Sequence, residues 1–277
     1  MTTETVTRVA PSTGKPGAVR FHPFRDTVTL LRRNIRNQLR DLVAVFAIIG
    51  IPVLFLLLFV YVFGGALGPA TKAEGAASYV DYVLPGLIIM TVAAGLIGVS
   101  THTAVDMTEG IIARFRTMSI FRPGILIARV LSFVIQTLAS IVVVFAIAFA
   151  MGLRPNATGL EWLAVIGLLA YLSFMLTWLG LAFGLAAKSV GSASNGPFPL
   201  ILLPLVGSGI VPTSTMPTGL RYFAEYQPFT SMIETLRGLL VGTPIGNSAV
   251  IALCWGGGIG ILGFVWSIRA FNRDRAS

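Results

Sequence analysis

Residues able to carry out nucleophilic, metal or phosphate chemistry are few in this sequence and poorly placed for it. The only histidines are His22 and His102, and no H-E-x-x-H pair exists to hold zinc. Cys254 is the single cysteine and lies in an apolar run, so it reads as a small buried hydrophobe. Gly207-Ser208-Gly209 has the look of a serine nucleophile, but no histidine falls near enough to activate it, and packing of small residues between helices is the better reading. His102 and Asp106 stand one helical turn apart, either as a protonatable pair or, the favoured reading, as an interfacial hydrogen bond near a helix end. The nearest match to a phosphate-cradling loop is Ala186-Ala187-Lys188-Ser189, which lacks the glycines whose backbone amides would face a phosphate. By this reading the chain does not hydrolyse ATP by itself.

The elements that must position these residues are set by composition. Of the 277 residues, 55% are hydrophobic and 11% charged, against roughly 25% charged in soluble domains. With a mean hydropathy of +0.84, there is too little polar surface to face water on all sides. The net charge of +9 is not arranged as a basic stripe interleaved with aromatics, which excludes nucleic acid as a partner. It clusters instead at the ends of apolar segments, as in a membrane protein with a positive inner side. Residues 1–20 are polar, lack the apolar core of a cleavable signal, and are expected to form a disordered cytoplasmic tail.

About 20 apolar residues are needed to cross the hydrocarbon core as a helix. Six charge-free stretches are read as spans: Leu42–Phe63, Tyr82–Val105, Val130–Met151, Trp162–Ala187, Gly196–Pro212 and Ser248–Ile268. The fifth is punctuated by Pro197, Pro199, Pro204 and Pro212, so it is expected to be kinked and packed inside the bundle. With the N-terminus inside, Arg8, Lys15, Arg20, Arg25, Arg32, Arg33, Arg36, Arg40, Arg114, Arg116, Arg122, Arg129, Lys188, Arg269, Arg273 and Arg275 fall inside. Lys72, Arg154, Arg221 and Arg237 fall outside, a division of sixteen against four. Both ends, including the short tail 272–277, are therefore expected in the cytoplasm. No carboxylate occurs at mid-membrane depth, since Asp81 and Glu161 sit at span ends, whereas ion-coupled transporters commonly place one there. Energy is thus expected from a partner, and a largely apolar path suits an amphiphile.

Two further elements flank the spans on the inner side. Over residues 21–41, Phe24, Val28, Leu31, Ile35 and Leu39 form an apolar stripe beside Arg25, Arg32, Arg33, Arg36 and Arg40. Such a helix lies in the headgroup layer as an anchor or offers a docking face. The loop 106–123 repeats the pattern with Met107, Ile111, Phe115 and Met118, and carries Asp106, Glu109, Gly110, Arg114, Arg116 and Arg122. Its arginines are suited to pairing with carboxylates of a partner protein. On the third span Ser132, Gln136 and Ser140 form a polar row that either lines a path or bonds a neighbouring helix.

Several fragments in order resemble a known family. They are Arg33-Asn34, a first span with Pro52 ending in Val62-Phe63-Gly64, Tyr82-Val-Leu-Pro85-Gly86, and Glu109-Gly110 with Arg114. Gly209-Ile-Val-Pro212, Met216-Pro217-Thr-Gly-Leu220-Arg221, Pro228-Phe-Thr230 and Leu236-Arg237-Gly-Leu-Leu-Val-Gly242 complete the set. The chain resembles the type-2 ABC transporter permeases, in particular the daunorubicin-resistance-type drug exporters of actinobacteria. At Ser119, where such proteins usually have proline, it departs from them.

The resemblance implies an all-α membrane protein of ABC-2 (type V) exporter architecture, with residues 42–271 as the six-span permease domain. It implies two ATPase subunits, which would use ATP and magnesium, and a second permease copy or a sister chain. An N-terminal interface helix (Arg32, Arg33, Arg36) and a coupling helix (Asp106, Glu109, Gly110, Arg114, Arg116, Met118, Arg122) would dock those ATPases. Residues 213–242 would form outer re-entrant helices, with Met216, Pro217, Arg221, Glu225, Pro228, Glu234 and Arg237 in the cap and its acids and bases pairing with one another. The implied cargo is a drug or antibiotic, or alternatively a cell-envelope lipid or glycan carrier. An intramembrane enzyme or a scaffold is the reading from another class.

Overall fold

Long apolar runs with no water to bond their backbone close their hydrogen bonds within helices. That is the form the chain takes over residues 23–73, 78–110 and 122–273, which the computed structural model describes. Helix α1 (Pro23–Arg40) leads into α2 (Leu42–Leu58), a π-helical turn at Phe59–Phe63, and α3 (Gly64–Ala73). Then follow α4 (Tyr79–Thr108), α5 (Arg122–Ala150) and α6 (Gly159–Ala186). Short helices α7 (Val190–Asn195), α8 (Phe198–Val206), α9 (Thr218–Tyr226) and α10 (Pro228–Val241) precede α11 (Ser248–Arg273).

Among the described residues five helices are long and apolar enough to cross a membrane: Ile48–Ala66, Tyr79–Thr108, Gly124–Ala150, Gly159–Ala186 and Ser248–Asn272. The fifth expected span, Gly196–Pro212, is not among them. Proline at positions 197, 199 and 204 supplies no backbone N–H; α7 ends just before the stretch, which holds only the short α8 and is non-helical from Gly207 to Pro212.

Helix starts are fixed locally. Ser78 with Asp81 and Thr158 with Glu161 form capping boxes, in which the hydroxyl takes the third amide and the carboxylate returns to the cap amide. The two acids placed at span ends therefore act as helix caps.

Packing sets the direction of each helix. α4 is the central element, with 78% of its most apolar window buried, whereas α2 lies at the periphery with 11%. Glycines allow the close approaches: a Cβ on Gly180 would meet the Leu96 backbone, and one on Gly184 would come within 2.5 Å of Ser100 O, so α6 runs parallel to α4. Gly256 against Leu172, Gly260 against Met175 and Gly263 against Leu179 make α11 parallel to α6 as well. Two adjacent parallel helices require the chain between them to return to the other end of the bundle.

That return runs antiparallel beside α4. Ser100 Oγ donates to Ala193 O at 2.8 Å, Thr101 and Ser194 hydroxyls are 3.0 Å apart, Gly209 abuts Gly86, and Tyr79 OH donates to Ile210 O at 3.3 Å. From Tyr79 to Thr101 the accompanied length of α4 is about 33 Å at 1.5 Å per residue.

One end of the bundle is basic. It carries α1, Lys188 and the last turns of α11, where Phe271 packs with Leu126, Val130 and Leu185. At the other end lie residues 153–158, joined to α10 by Asn156 N–H to Leu240 O at 3.0 Å, and helix α9.

The α6–α11 seam yields a direct check. A side chain at Gly263 collides with the Leu179 backbone, whereas one at Gly258 meets nothing within 4 Å. Gly263→Leu is expected to cost about 1–3 kcal/mol or more by overpacking, and Gly258→Leu close to nothing. Thermal unfolding of the detergent-solubilised chain, followed by gel filtration, measures both; equal melting temperatures would contradict the parallel packing.

Candidate functional site

The chemistry-bearing side chains gather at two ends of the bundle and along one cavity between them. At the basic end, α1, α4 and α5 enclose a polar cluster. Asp106 forms an ion pair with Arg129 across α4 and α5, with side-chain exposures of 18% and 14%. Asp106 thus takes Arg129 as its partner rather than His102, whose ring packs on Phe133 at 5.6 Å between centroids. Gln38 of α1 donates to Ser132 Oγ at 3.3 Å. A cavity of about 120 Å³ bounded by Asn34, Asp41, His102 and Arg129 completes the cluster. The arginines of α1 are exposed, and Arg33 also lines that cavity.

Glu109 and Gly110 follow the last turn of α4. Gly110 has φ +69°, a left-handed conformation that turns the chain out of the helix at no steric cost. Glu109 is exposed there. Arg114, Arg116 and Met118 lie outside the described residues, as does the Arg122 side chain at the start of α5. Of the residues expected to dock a partner, Arg32, Arg33, Arg36 and Glu109 are thus displayed outward, while Asp106 is turned inward to Arg129.

At the opposite end, the last turn of α8 and the non-helical backbone after it are met by side-chain donors. Gln227 Nε2 donates to Leu203 O at 2.9 Å, and Arg237 donates to Ser208 O at 2.5 Å and Tyr82 O at 3.2 Å. The Arg237 guanidinium also lies 3.9 Å from the centre of the Tyr82 ring, an attraction that grows when the cation is removed from water. Arg237 is only 7% exposed. The expected pairing within the cap is realised by Arg221 and Glu225, 2.7 Å apart at i,i+4 and exposed. The hydrogen bond and charge of Glu225 hold the Arg221 guanidinium still more firmly protonated. Glu234 accepts instead from Ser248 Oγ at 2.9 Å, tying α10 to the start of α11. Met216 and Pro217 lead into α9, and Pro228 occupies the first turn of α10, where its missing N–H is harmless.

The polar row on α5 divides. Ser140 Oγ donates to Ile48 O at 2.8 Å and Ser132 Oγ to Arg129 O at 2.8 Å, so both serve helix packing. Gln136 lines the cavities on either side of it, and its amide oxygen is buried with no hydrogen-bond partner. Ser208 has no base beside it: it lies at the level of Gly86, about 24 Å along α4 from His102, and His22 lies outside the described residues. Among the described residues no group of three or more His, Cys, Asp or Glu is placed to hold a metal.

Sequence reasoning missed the Asp106–Arg129 pair because their separation of 23 positions carries no periodic signal. It also missed the α6–α11 seam, though Gly256-x3-Gly260-x2-Gly263 is the small-residue spacing that marks close helix contacts.

The two arginines of the outer end should behave differently on substitution. Arg237→Leu removes charge-assisted bonds of about 1.5–3 kcal/mol each, and Arg237→Lys recovers part of the loss, because an ammonium cannot both fork to two carbonyls and lie flat on a ring. Arg221→Leu, exposed on α9, should stay within about 0.5 kcal/mol. Equilibrium unfolding in mixed micelles reads these differences; equal losses for Arg237 and Arg221 would contradict the arrangement.

Comparison with known proteins places this geometry in a family. Residues 25–241 match the ABC-2 type transporter family. The chain is 25% identical over 231 residues to the daunorubicin resistance ABC transporter permease protein DrrB1 of Streptomyces coeruleorubidus, covering 83% of this chain and 80% of that protein. It is 27% identical over 271 residues to the probable doxorubicin resistance ABC transporter permease protein DrrC of Mycobacterium tuberculosis, covering 93% and 92%. The match begins at α1 and extends through the outer arginine latch to the end of α10, and on that extent the chain belongs to the ABC-2 type transporter family.

Proposed function

We propose that this chain is the membrane-spanning permease subunit of an ATP-driven exporter that moves hydrophobic or amphiphilic drugs outward across the cytoplasmic membrane. The observation that carries the reading is the full-length likeness to two drug-resistance permeases joined to a bundle whose docking elements, α1 and the turn at Glu109, share one basic end. The sequence holds no phosphate-binding loop of its own, so ATP and its magnesium belong to separate ATPase subunits, two per transporter. A second permease, a copy or a sister chain, completes the assembly.

In this reading the chain crosses the membrane six times, and the pair α7 and α8 with residues 207–212 makes the fifth crossing. The parallel run of α6 and α11 supports it, as does a length beside α4 close to the roughly 30 Å of a hydrocarbon core. The basic end faces the cytoplasm, where positively charged loops are retained. Both termini then lie inside, and α9 and α10 cap the exit. Movement of the ATPases is transmitted through Arg32, Arg33 and Arg36 of α1 and through the loop from Asp106 to Arg122. The Asp106–Arg129 pair and the Gln38–Ser132 bond tie those elements to α4 and α5.

Copurification with candidate ABC ATPases tests the docking. Glu109→Lys is expected to lower ATPase recovery at least about fivefold by placing like charges at the contact, and to restore anthracycline accumulation in cells. If ATPase recovery and efflux both survive Glu109→Lys combined with Arg33→Glu, the docking assignment is wrong.

A further inference from the structure

A largely apolar cavity adjoins the polar cluster. Between α1, α2 and α5 lies a cavity of about 230 Å³ lined by Ile35, Leu39, Ile48, Ile49, Ala139 and Gln136. A second, of about 60 Å³, continues between α2, α4 and α5 past Pro52, Phe55 and Met90. The two share Ile48 and Gln136 in their walls, so they adjoin as a two-part groove along α2 and α5. One wall is α2, the peripheral helix.

Charge at the mouth distinguishes one occupant. On α1 the apolar residues Val28, Ile35 and Leu39 form a stripe, with Val28 and Leu39 exposed, and Arg32 and Arg36 lie one turn apart along its border. Arg40 continues that row, and Asp41 at the end of α1 is the acid beside it. An anion is favoured here and a cation repelled. Gln136, shared by the two cavities, presents a buried amide oxygen with no hydrogen-bond partner, and beyond it the second cavity is lined mainly by apolar residues, with Thr91 and Thr137 among them. From the surface inward the order is guanidinium pair, amide, hydrocarbon wall. This is the order of an anionic glycerophospholipid: phosphate, glycerol with its esters, acyl chain.

We propose that this groove is a binding site for an anionic phospholipid of the inner leaflet, with its phosphate on Arg32 and Arg36, its glycerol region at Gln136 and one acyl chain running past Ile48 toward Phe55. The lipid would fill the space between α1 and the bundle and hold the interface helix against α2 and α5. The inference rests on the basic end facing the inner leaflet. It is separable from ATPase docking, because lipid is retained by the chain alone.

The test uses the purified full chain, delipidated in detergent and then offered equal amounts of phosphatidylglycerol and phosphatidylcholine, with bound lipid read by native mass spectrometry. Phosphatidylglycerol is expected to be retained about tenfold over phosphatidylcholine. Arg32→Gln with Arg36→Gln should bring the two lipids to parity. Ala139→Phe, which fills the groove, should lower retained phosphatidylglycerol at least about fivefold; Ala139→Leu, a smaller intrusion, serves if the phenylalanine variant does not assemble. Equal retention of the two lipids by the unaltered chain, or unchanged retention when position 139 is filled, would overturn the site. Displacement of phosphatidylglycerol by the cationic amphiphile dodecylamine at equal concentration would also overturn it, making the groove a port for cargo.

Discussion

Backbone carbonyls released from a helix in a lipid environment must find donors inside the protein, since none are supplied by hydrocarbon. In this chain the problem is concentrated after α8, where non-helical residues follow a helix interrupted at Pro204. Its solution is a set of side chains aimed at those carbonyls, Arg237 at Ser208 and Tyr79 at Ile210, with Gln227 bonding Leu203 in the last turn of α8. Arginine suits the central position because its donors form a rigid planar fork and its delocalised charge rests on an aromatic face. The same guanidinium also reaches the carbonyl of Tyr82 in the first turn of α4. One buried cation therefore joins the broken passage, the outer helix α10 and the central helix α4.

The remainder of the architecture follows from that junction. With residues 193–210 held along α4, glycine meets glycine at Gly86 and Gly209, and α6 closes on α4 through Gly180 and Gly184. α10 is buried against the core through Phe229, Met232, Ile233 and Leu236, so the outer segment is a packed plug rather than a surface loop. At the opposite end the Asp106–Arg129 pair and the Gln38–Ser132 bond connect the amphipathic α1 with α4 and α5. α1 is thus linked to the central helix through two polar contacts in series, while Arg237 at the opposite end keeps α4 registered with α10.

Much of this was legible in the sequence because lipid imposes a simple code. Charge-free apolar runs marked the first, second, third, fourth and sixth of the expected spans, and at each of these lies a long apolar helix. The apolar stripe from Val28 to Leu39 marked α1. Less legible was the fifth passage, whose prolines announce a break without revealing what satisfies it. Arg237 illustrates the difficulty: grouped with Arg221, Glu225 and Glu234 it reads as part of a charged rim, yet it is buried under Tyr82 and bonded to carbonyls. Residue type and neighbours along the chain do not distinguish a rim arginine from a latch; only the partner elements 29 and 155 positions away do. The polar row on α5 was equally ambiguous, and tertiary contacts separate Ser132 and Ser140, whose hydroxyls are bonded to backbone and to α1, from Gln136, whose amide oxygen is buried without a partner.

The central claim is that the proline-broken segment carries the chain from the basic end to the capped end of the bundle. With Cys254 replaced by alanine, single cysteines at Lys188→Cys and Thr218→Cys, both at exposed positions, can be offered a membrane-impermeant maleimide. The account predicts that Thr218→Cys labels in intact cells and that Lys188→Cys labels only in inside-out vesicles. Labelling of both positions from the same side would contradict it, because the segment would then enter and leave the membrane through one face.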